Sequence, residues 1–213
     1  MEGVDQARAY AAADFAEPHQ AYVRLFDEVF PDGPRAARVL DLGCGPCDVT
    51  IRFARAHRHW IFDAVDGSIQ MLHCAAAALR RAENRKHSIR LVAANLSETG
   101  LPRGWYDVIL ASSVLHHLPE PKVLWRTILD HAKPGARVFV PDLRRPENES
   151  EARSLVERHA SGESDILRHD FYHSLLAAFT VEEVQEQLQT AGLRTMSVRS
   201  LDDRHLLAWG SIS

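Results

Sequence analysis

Hydrophobic residues recur along the chain in short runs separated by amphipathic stretches. Five apolar runs predict β-strands, at residues 37–42, 60–65, 89–94, 106–113 and 136–143. Three stretches between them have helical spacing, at residues 49–57, 68–84 and 122–132. Strands and helices alternating in this way predict right-handed βαβ units and a parallel sheet covered on both faces. Such a sheet binds ligands at the carboxyl ends of its strands.

The pattern changes after the fifth run. Residues 146–180 are polar and helix-prone, and Thr180 and Glu183 form a capping-box sequence that opens a helix over 181–191. Two later runs, 193–201 and 205–212, predict a closing β-hairpin. We therefore expect an α/β fold: a Rossmann-like, doubly wound, seven-stranded and mostly parallel sheet with a C-terminal antiparallel hairpin strand.

We expect one domain, residues 1–213, built from four consecutive parts. These are a helical N-terminal cap (1–34), a ligand-binding core (35–145), a helical insert (146–180), and a closing helix and hairpin (181–213). The N-terminal helix (5–30) and the insert lie outside the regular core, and together they are expected to form a helical lid over the strand ends.

Composition narrows the class of protein. The 213 residues carry a net charge of −4, which disfavours nucleic-acid binding through clustered Lys and Arg. No apolar run reaches the ~20 residues that a membrane span needs, and the N-terminus lacks a signal-peptide pattern. Three cysteines give no disulfide framework. We expect a cytoplasmic protein without a membrane partner, and its oligomeric state stays open.

Residues 41–48, DLGCGPCD, allow two interpretations. Cys44-Gly-Pro-Cys47 is the sequence of a thioredoxin-type redox centre. The same stretch is a glycine turn between a strand and a helix, where Gly43 and Gly45 allow close approach of a ligand. Its exposed N–H groups would favour a carboxylate or phosphate. Asp66 ends the second strand, where ribose hydroxyls are bound in such folds.

The segments around this turn resemble the class I S-adenosylmethionine-dependent methyltransferases. ARVLDLGCGPCDVTIRFA resembles their first motif, DAVDGSIQML the second, and the stretch from LVAANL to FVPDL the rest of their core, including Leu-His-His-Leu and Lys-Pro-Gly. The resemblance covers residues 37–143 in the family's order. It implies S-adenosyl-L-methionine as cofactor and methyl transfer as the activity.

The resemblance also implies cofactor-binding residues. It places Asp41, Gly43, Gly45 and the backbone of Ala111 around the methionine moiety. It places Asp66 at the ribose, and Gly67, Met71, Asn95 and Leu96 around the adenine. Two positions depart from the family pattern: Asn95 stands where Asp is frequent, and Cys47 where a third glycine is common.

Three other functions remain open. A redox protein would usually have Trp before its first Cys, where this chain has Gly43. If a methylsulfonium binds here, Cys44 and Cys47 should be neutral. A nicotinamide-binding enzyme would need glycine where Asp48 stands. A relative that binds the cofactor without transferring methyl groups is the third alternative.

The acceptor side is less determined. His116 and His117 follow the fourth strand, and either is a candidate general base, although the pair could instead order the loop. His169, Tyr172 and His173 share one helical face of the insert and are candidates for a substrate pocket, the alternative being a solvated polar face. No metal is expected. A small molecule is the favoured acceptor, with RNA or protein as the alternative.

Overall fold

The computed structural model describes residues 16–82 and 88–213. A seven-stranded sheet has the strand order β3-β2-β1-β4-β5-β7-β6. The strands are β1 (Ala37–Leu42), β2 (Trp60–Asp66), β3 (Ile89–Ala93), β4 (Tyr106–Leu110), β5 (Ala132–Leu143), β6 (Met196–Ser200) and β7 (His205–Ser211). β1 to β5 are parallel, and β7 runs antiparallel to β5 and β6. The predicted doubly wound sheet with its C-terminal hairpin is confirmed.

Seven α-helices lie within the described residues. They are α1 (Ala16–Val29), α2 (Asp48–Ala56), α3 (Ile69–Arg81), α4 (Lys122–His131), α5 (Glu149–Ala160), α6 (Asp165–Ala177) and α7 (Val181–Thr190). Two short 3₁₀ turns, Leu96–Glu98 and Leu115–His117, follow β3 and β4. The predicted capping box at α7 is present, with Thr180 and Glu183 exchanging side chain to backbone hydrogen bonds.

Helices cover both faces of the sheet because the strands bury apolar side chains on both sides. On one face, α1, α2 and α3 pack around fully buried aromatic rings, among them Phe26, Phe53 and Trp60. On the other face, α4 and α7 pack through residues such as Trp125 and Leu188. This arrangement leaves the carboxyl ends of the parallel strands as the place where loops converge.

Helix α1 is part of the layer on the sheet face. Its Phe26 ring meets Phe53, Trp60 and Phe139 edge-on, with centroid distances of 5.5 Å in each case. At its first turn, the His19 Nδ1 atom lies 2.8 Å from Asp48, the first residue of α2. Part of the predicted N-terminal helix, residues 5–15, lies outside the described residues.

The insert is an α-helical hairpin, as its sequence predicts. Asn148 and Ser164 cap α5 and α6 by accepting backbone N–H bonds. The two helices bury a small cluster of their own that includes Leu155 and Leu175. Helix α6 packs against the turn Leu115–His117, so the insert lies at the carboxyl ends of β4 and β5.

Strand β5 begins earlier than the sequence pattern predicts. Helix α4 ends at His131, but strand pairing already starts at Ala132, and a register irregularity opposite β4 accommodates Lys133–Gly135. Gly135 adopts a φ of 81°, which explains why glycine stands there. Lys-Pro-Gly therefore forms the irregular start of β5.

Candidate active site

The loop after β4 presses against the glycine turn that follows β1. Gly43 and Gly45 have φ values of 72° and 51°. A Cβ atom built on Gly43 would lie 2.4 Å from Cγ2 of Val114, closer than atoms can approach. Gly43 is therefore required both by its left-handed backbone and by Val114, and the two loops form one surface at the strand ends.

The N–H groups of this turn have partners inside the protein. Gly43 and Cys44 donate to the carbonyl of Val65 at 2.9 Å, Gly45 donates to Asp66, and Cys47 donates to Cys44. The expectation that these turn amides are exposed is wrong, because the end of β2 lies close enough to accept their hydrogen bonds. The turn offers a ligand its shape and nearby carboxylates.

Cys47 occupies a backbone conformation that glycine favours. Its φ of 65° is left-handed, and it stands at the N-cap position of α2 with a fully buried side chain. A non-glycine residue in this region costs about 1–2 kcal/mol. The glycine common at this position in the family thus has a conformational reason, and Cys47 adopts the same geometry with strain.

The two cysteines lack the features of a reactive pair. Both side chains are buried, and Cys47 beside Cys44 together with burial raises the pKa of the Cys44 thiol well above its ordinary value. Redox centres depend on an accessible thiolate with a lowered pKa. The structure agrees with the expectation that Cys44 is neutral and argues against the redox interpretation.

Asp41 is a buried carboxylate with one unpaired oxygen. Its Oδ2 accepts a 2.5 Å hydrogen bond from the Thr50 hydroxyl, whereas Oδ1 is buried and has no partner among the described residues. Burial, with a smaller contribution from the charge of Asp66, raises the pKa of Asp41 to about 6. A buried unpaired carboxylate oxygen is unfavourable unless a donor or a cation reaches it.

Asp66 is held in position by the backbone. Its Oδ2 accepts from the N–H of Gly45 at 2.8 Å, and its Oδ1 accepts from the N–H of Ser68 at 2.7 Å. Each carboxylate oxygen has a second lone pair, and the side chain is only half-buried. Asp66 can therefore accept two further hydrogen bonds, such as those from a pair of ribose hydroxyls.

The residues assigned to the adenine lie near one another beyond Asp66. A Cβ on Gly67 would lie 3.2 Å from Oδ1 of Asn95, so the ends of β2 and β3 bring these two exposed residues together. Leu96 is half-buried, but Met71 is only 2% exposed, which limits its contact with any ligand. Ala111 is fully buried, and its N–H donates to the carbonyl of Phe139.

His116 has a partner that sequence reasoning missed. Its Nδ1 lies 2.6 Å from Oδ1 of Asp142, which stands near the end of β5, and both side chains are buried. The signal in the sequence was a single Asp in the apolar run VFVPDL. Nothing in the sequence indicated its partner, because 26 residues separate the two.

His117 is placed differently from its neighbour. Its imidazole lies 4.0 Å from that of His116, yet the residue is exposed. Desolvation by the surrounding protein is the main cause that lowers the pKa of His117, and the charge of His116 lowers it further. Asp142 and Asp170 act in the opposite direction. Asp170 belongs to α6, which shows that this helix reaches the turn carrying the two histidines.

The three predicted pocket residues of the insert lie in two different environments. His169 and His173 are exposed on α6 with ring centroids 4.4 Å apart. Tyr172 is half-buried, donates to Glu149 at 3.2 Å and lies under the guanidinium of Arg153, so its hydroxyl is engaged with α5. The structure therefore brings all three side chains together: the Tyr172 ring meets His173 edge-on, with centroids 5.4 Å apart, while its hydroxyl bonds to α5.

Within residues 16–82 and 88–213, no group of three or more His, Cys, Asp or Glu side chains is arranged to hold a metal ion. Among the helices of the same residues, none has the length and apolarity needed to cross a membrane.

The fold and this site define a class of protein: a doubly wound α/β domain with a glycine turn after β1 and an oriented acidic residue after β2, which together suit a nucleoside cofactor. Residues 40–138 match the family described as "Methyltransferase domain". This match lies within residues 37–143, the stretch that resembles the class I S-adenosylmethionine-dependent methyltransferases.

Comparisons with individual proteins agree with this family. The chain is 38% identical over 100 residues to a trans-aconitate 2-methyltransferase of Mycobacterium ulcerans (strain Agy99), a match that covers 46% of this chain and 34% of that protein. The chain thus spans about a third of the length of this curated relative.

Solved structures confirm the fold. A SAM-dependent methyltransferase from Aquifex aeolicus superposes with a TM-score of 0.70 at 15% identity, covering 100% of both chains. The plantazolicin methyltransferase BpumL, in complex with a substrate analogue and SAH, gives a TM-score of 0.69 at 16% identity over 92% of this chain and 83% of that one.

Proposed function

We propose that this chain binds S-adenosyl-L-methionine and transfers its methyl group to a small molecule. The observation that carries the proposal is the unpaired, buried oxygen of Asp41 beside the glycine turn. Asp41 and Asp66 lie close enough that the charge of one raises the pKa of the other, so the turn is strongly acidic. A ligand with an ammonium and a sulfonium group suits such a site, whereas a dinucleotide pyrophosphate is repelled by it.

The residues present fit the cofactor in type and in position. Asp41 would receive the ammonium group directly or through a water molecule, and Asp66 would accept from the ribose hydroxyls with the lone pairs that Gly45 and Ser68 leave free. Gly67 and Asn95 would form the adenine end. The side-chain amide of Asn95 can accept from the adenine amino group through its oxygen.

When bound, the cofactor supplies an activated methyl group on a good leaving group. The protein then needs mainly to align the acceptor with the methyl carbon and to exclude water. Val114, which contacts Gly43, ties the loop carrying His116 and His117 to the cofactor turn. This contact sets the distance between the cofactor and whatever acts on the acceptor.

A small-molecule acceptor is supported by three features. The named relative acts on trans-aconitate, a small molecule. The helical insert packs against the turn Leu115–His117, beside the place where an acceptor would bind. The net charge of −4 disfavours an RNA acceptor. A protein acceptor, or a relative that binds the cofactor without transferring methyl groups, remains the alternative outcome of the test.

Methyl transfer can be tested with radiolabelled S-adenosylmethionine. The purified chain is incubated with trans-aconitate in one reaction, and with the small-molecule fraction and the macromolecular fraction of a cell extract in two others. We expect label in a small-molecule product that gains 14 daltons per methyl group. Label only in the macromolecular fraction would show that the acceptor is a macromolecule. No label in any fraction would favour a relative that binds the cofactor without transferring methyl groups.

A further inference from the structure

Asp142 connects the end of β5 to the loop after β4. Its carboxylate accepts backbone N–H bonds from Val114, Leu115 and Leu143, each at 2.8 Å, and its Oδ1 lies 2.6 Å from Nδ1 of His116. The side chain is 1% exposed. One carboxylate therefore holds both the backbone of the loop and the imidazole that the loop carries.

Asp142 is ionised in this setting. Burial alone would raise the pKa of its carboxyl group, but His116 and the backbone N–H donors outweigh burial and lower the pKa below its ordinary value. An ionised carboxylate only accepts hydrogen bonds. The proton between the two side chains therefore resides on Nδ1, which leaves Nε2 as the ring nitrogen that can exchange a proton with a ligand.

The Nε2 atom of His116 is not used by the protein. It has no hydrogen-bond partner among the described residues, and it is not fully buried. The His116 side chain is 4% exposed, and Nε2 is the ring nitrogen that Asp142 does not engage. It belongs to the loop whose Val114 touches the cofactor turn.

His117 lacks this arrangement. It is exposed, and its ring has no hydrogen bond among the described residues that would fix which nitrogen bears the proton. Of the two neighbouring histidines, only His116 is oriented as the base of a carboxylate–imidazole pair requires.

We propose that His116 is the general base of the reaction and that Asp142 is its positioning residue. This inference rests on the proposed methyl transfer and specifies its acceptor: a hydroxyl or N–H group that must lose a proton. His116 Nε2 takes that proton, the acceptor atom bonds to the methyl carbon, and the electrons of the broken carbon–sulfur bond stay on sulfur. Acceptors that are already anionic would gain nothing from this pair.

The structure of the pair can be tested without any acceptor. Long-range ¹H–¹⁵N correlations of the ¹⁵N-labelled protein report which ring nitrogen of each histidine bears a proton, and H116Q assigns the His116 signals. We expect Nδ1–H with a bare Nε2 in the wild-type protein, and loss of this preference in D142N. A wild-type His116 protonated on Nε2 would overturn the proposal.

The function of the pair is tested by the rate of label transfer to the small-molecule extract. H116Q should lower this rate about 100-fold or more, and D142N about tenfold or more, while calorimetry gives S-adenosylmethionine affinities within about twofold of wild type. D142N should also shift the acidic limb of the pH profile to lower pH, because imidazolium loses its counter-charge. The groups that act electrostatically on the neighbouring His117 include both members of this pair and, from α6, Asp170.

D63N is the matched control, since Asp63 is a partly buried carboxylate on β2 that pairs with Arg90 and Tyr106 far from the loop. It should leave the shape of the pH profile unchanged. If D142N fails to fold, H116Q and the wild-type tautomer decide the question. If H116Q transfers label as fast as the wild-type protein, this inference is contradicted. If the wild-type protein binds S-adenosylmethionine but labels nothing, the proposed function is contradicted.

Discussion

Two fully buried carboxylates stand near the carboxyl ends of β1 and β5, the strands on either side of β4. Asp142 accepts four hydrogen bonds, and its pKa is lowered. Asp41 accepts one, from Thr50, and its pKa is raised to about 6. The first carboxylate is complete within the protein and organises a loop. The second has an oxygen without a partner among the described residues, so two equally buried carboxylates differ in whether the protein itself supplies their hydrogen bonds.

The loops after β1 and β4 meet where Val114 contacts Gly43, and breaking this contact should have the largest effect. G43A places a methyl group 2.4 Å from Cγ2 of Val114 and also strains a left-handed residue, so we expect a loss of about 4 kcal/mol in the free energy of unfolding. Urea denaturation measures this loss.

G100A is the matched control for this prediction. Gly100 has a similar φ of 66° but open space around its Cβ position, so only the backbone strain of about 1–2 kcal/mol applies. The double variant G43A/V114A should recover part of the loss. Equal effects of G43A and G100A would show that the two loops are not in tight contact.

Asp142 has hydrogen-bond partners on both oxygens, whereas Asp41 has one oxygen without a partner among the described residues. We therefore expect substitution of the two residues by Asn to change the free energy of unfolding in opposite directions. D142N removes a paired charge that holds a loop and should destabilise the protein by about 3 kcal/mol. D41N removes an unpaired buried charge and should stabilise the cofactor-free protein by about 2 kcal/mol at neutral pH, while weakening binding of S-adenosylmethionine.

The gain in D41N should depend on pH. Because the folded-state pKa of Asp41 is raised from 3.8 to about 6, its contribution to stability is full below pH 3.8 and is lost as the pH rises through 6. Thermal unfolding should therefore show no advantage of D41N near pH 4 and the full advantage above pH 6. A variant less stable than wild type at pH 7 would mean that Asp41 has a partner within the protein.

Asp66 should contribute to binding more than to folding. D66A removes the acceptor for the ribose hydroxyls and should weaken S-adenosylmethionine binding by about 2 kcal/mol in calorimetry. Unchanged affinity in the folded variant would show that the ribose lies elsewhere.

The smallest effect concerns Cys47. C47A and C47G both remove the buried sulfur, but only glycine relieves the left-handed strain at a φ of 65°. C47G should therefore be about 1 kcal/mol more stable than C47A in urea denaturation. Both variants should still bind S-adenosylmethionine, because the turn uses no thiol. Equal stabilities would show that the strain is negligible.

The sequence predicted the glycine turn after β1 and the position of Asp66 better than the surroundings of His116, for a physical reason. Gly43, Asp66 and the strands around them are specified by local rules: apolar runs, glycine turns and residues at strand ends. The pairing of His116 with Asp142 depends on how β4 and β5 align, which no local pattern states. The use of the turn amides by Val65 and Asp66 was also missed, because it depends on the spacing of two strands.

The central claim is that the incomplete carboxylate at β1 belongs to a cationic cofactor, and calorimetry tests it most directly. The wild-type chain is titrated with S-adenosylmethionine, with its demethylated product and with NAD. We expect saturable binding of S-adenosylmethionine that D41N weakens, and no binding of NAD. Heat with NAD, or none with S-adenosylmethionine or its product, would contradict it.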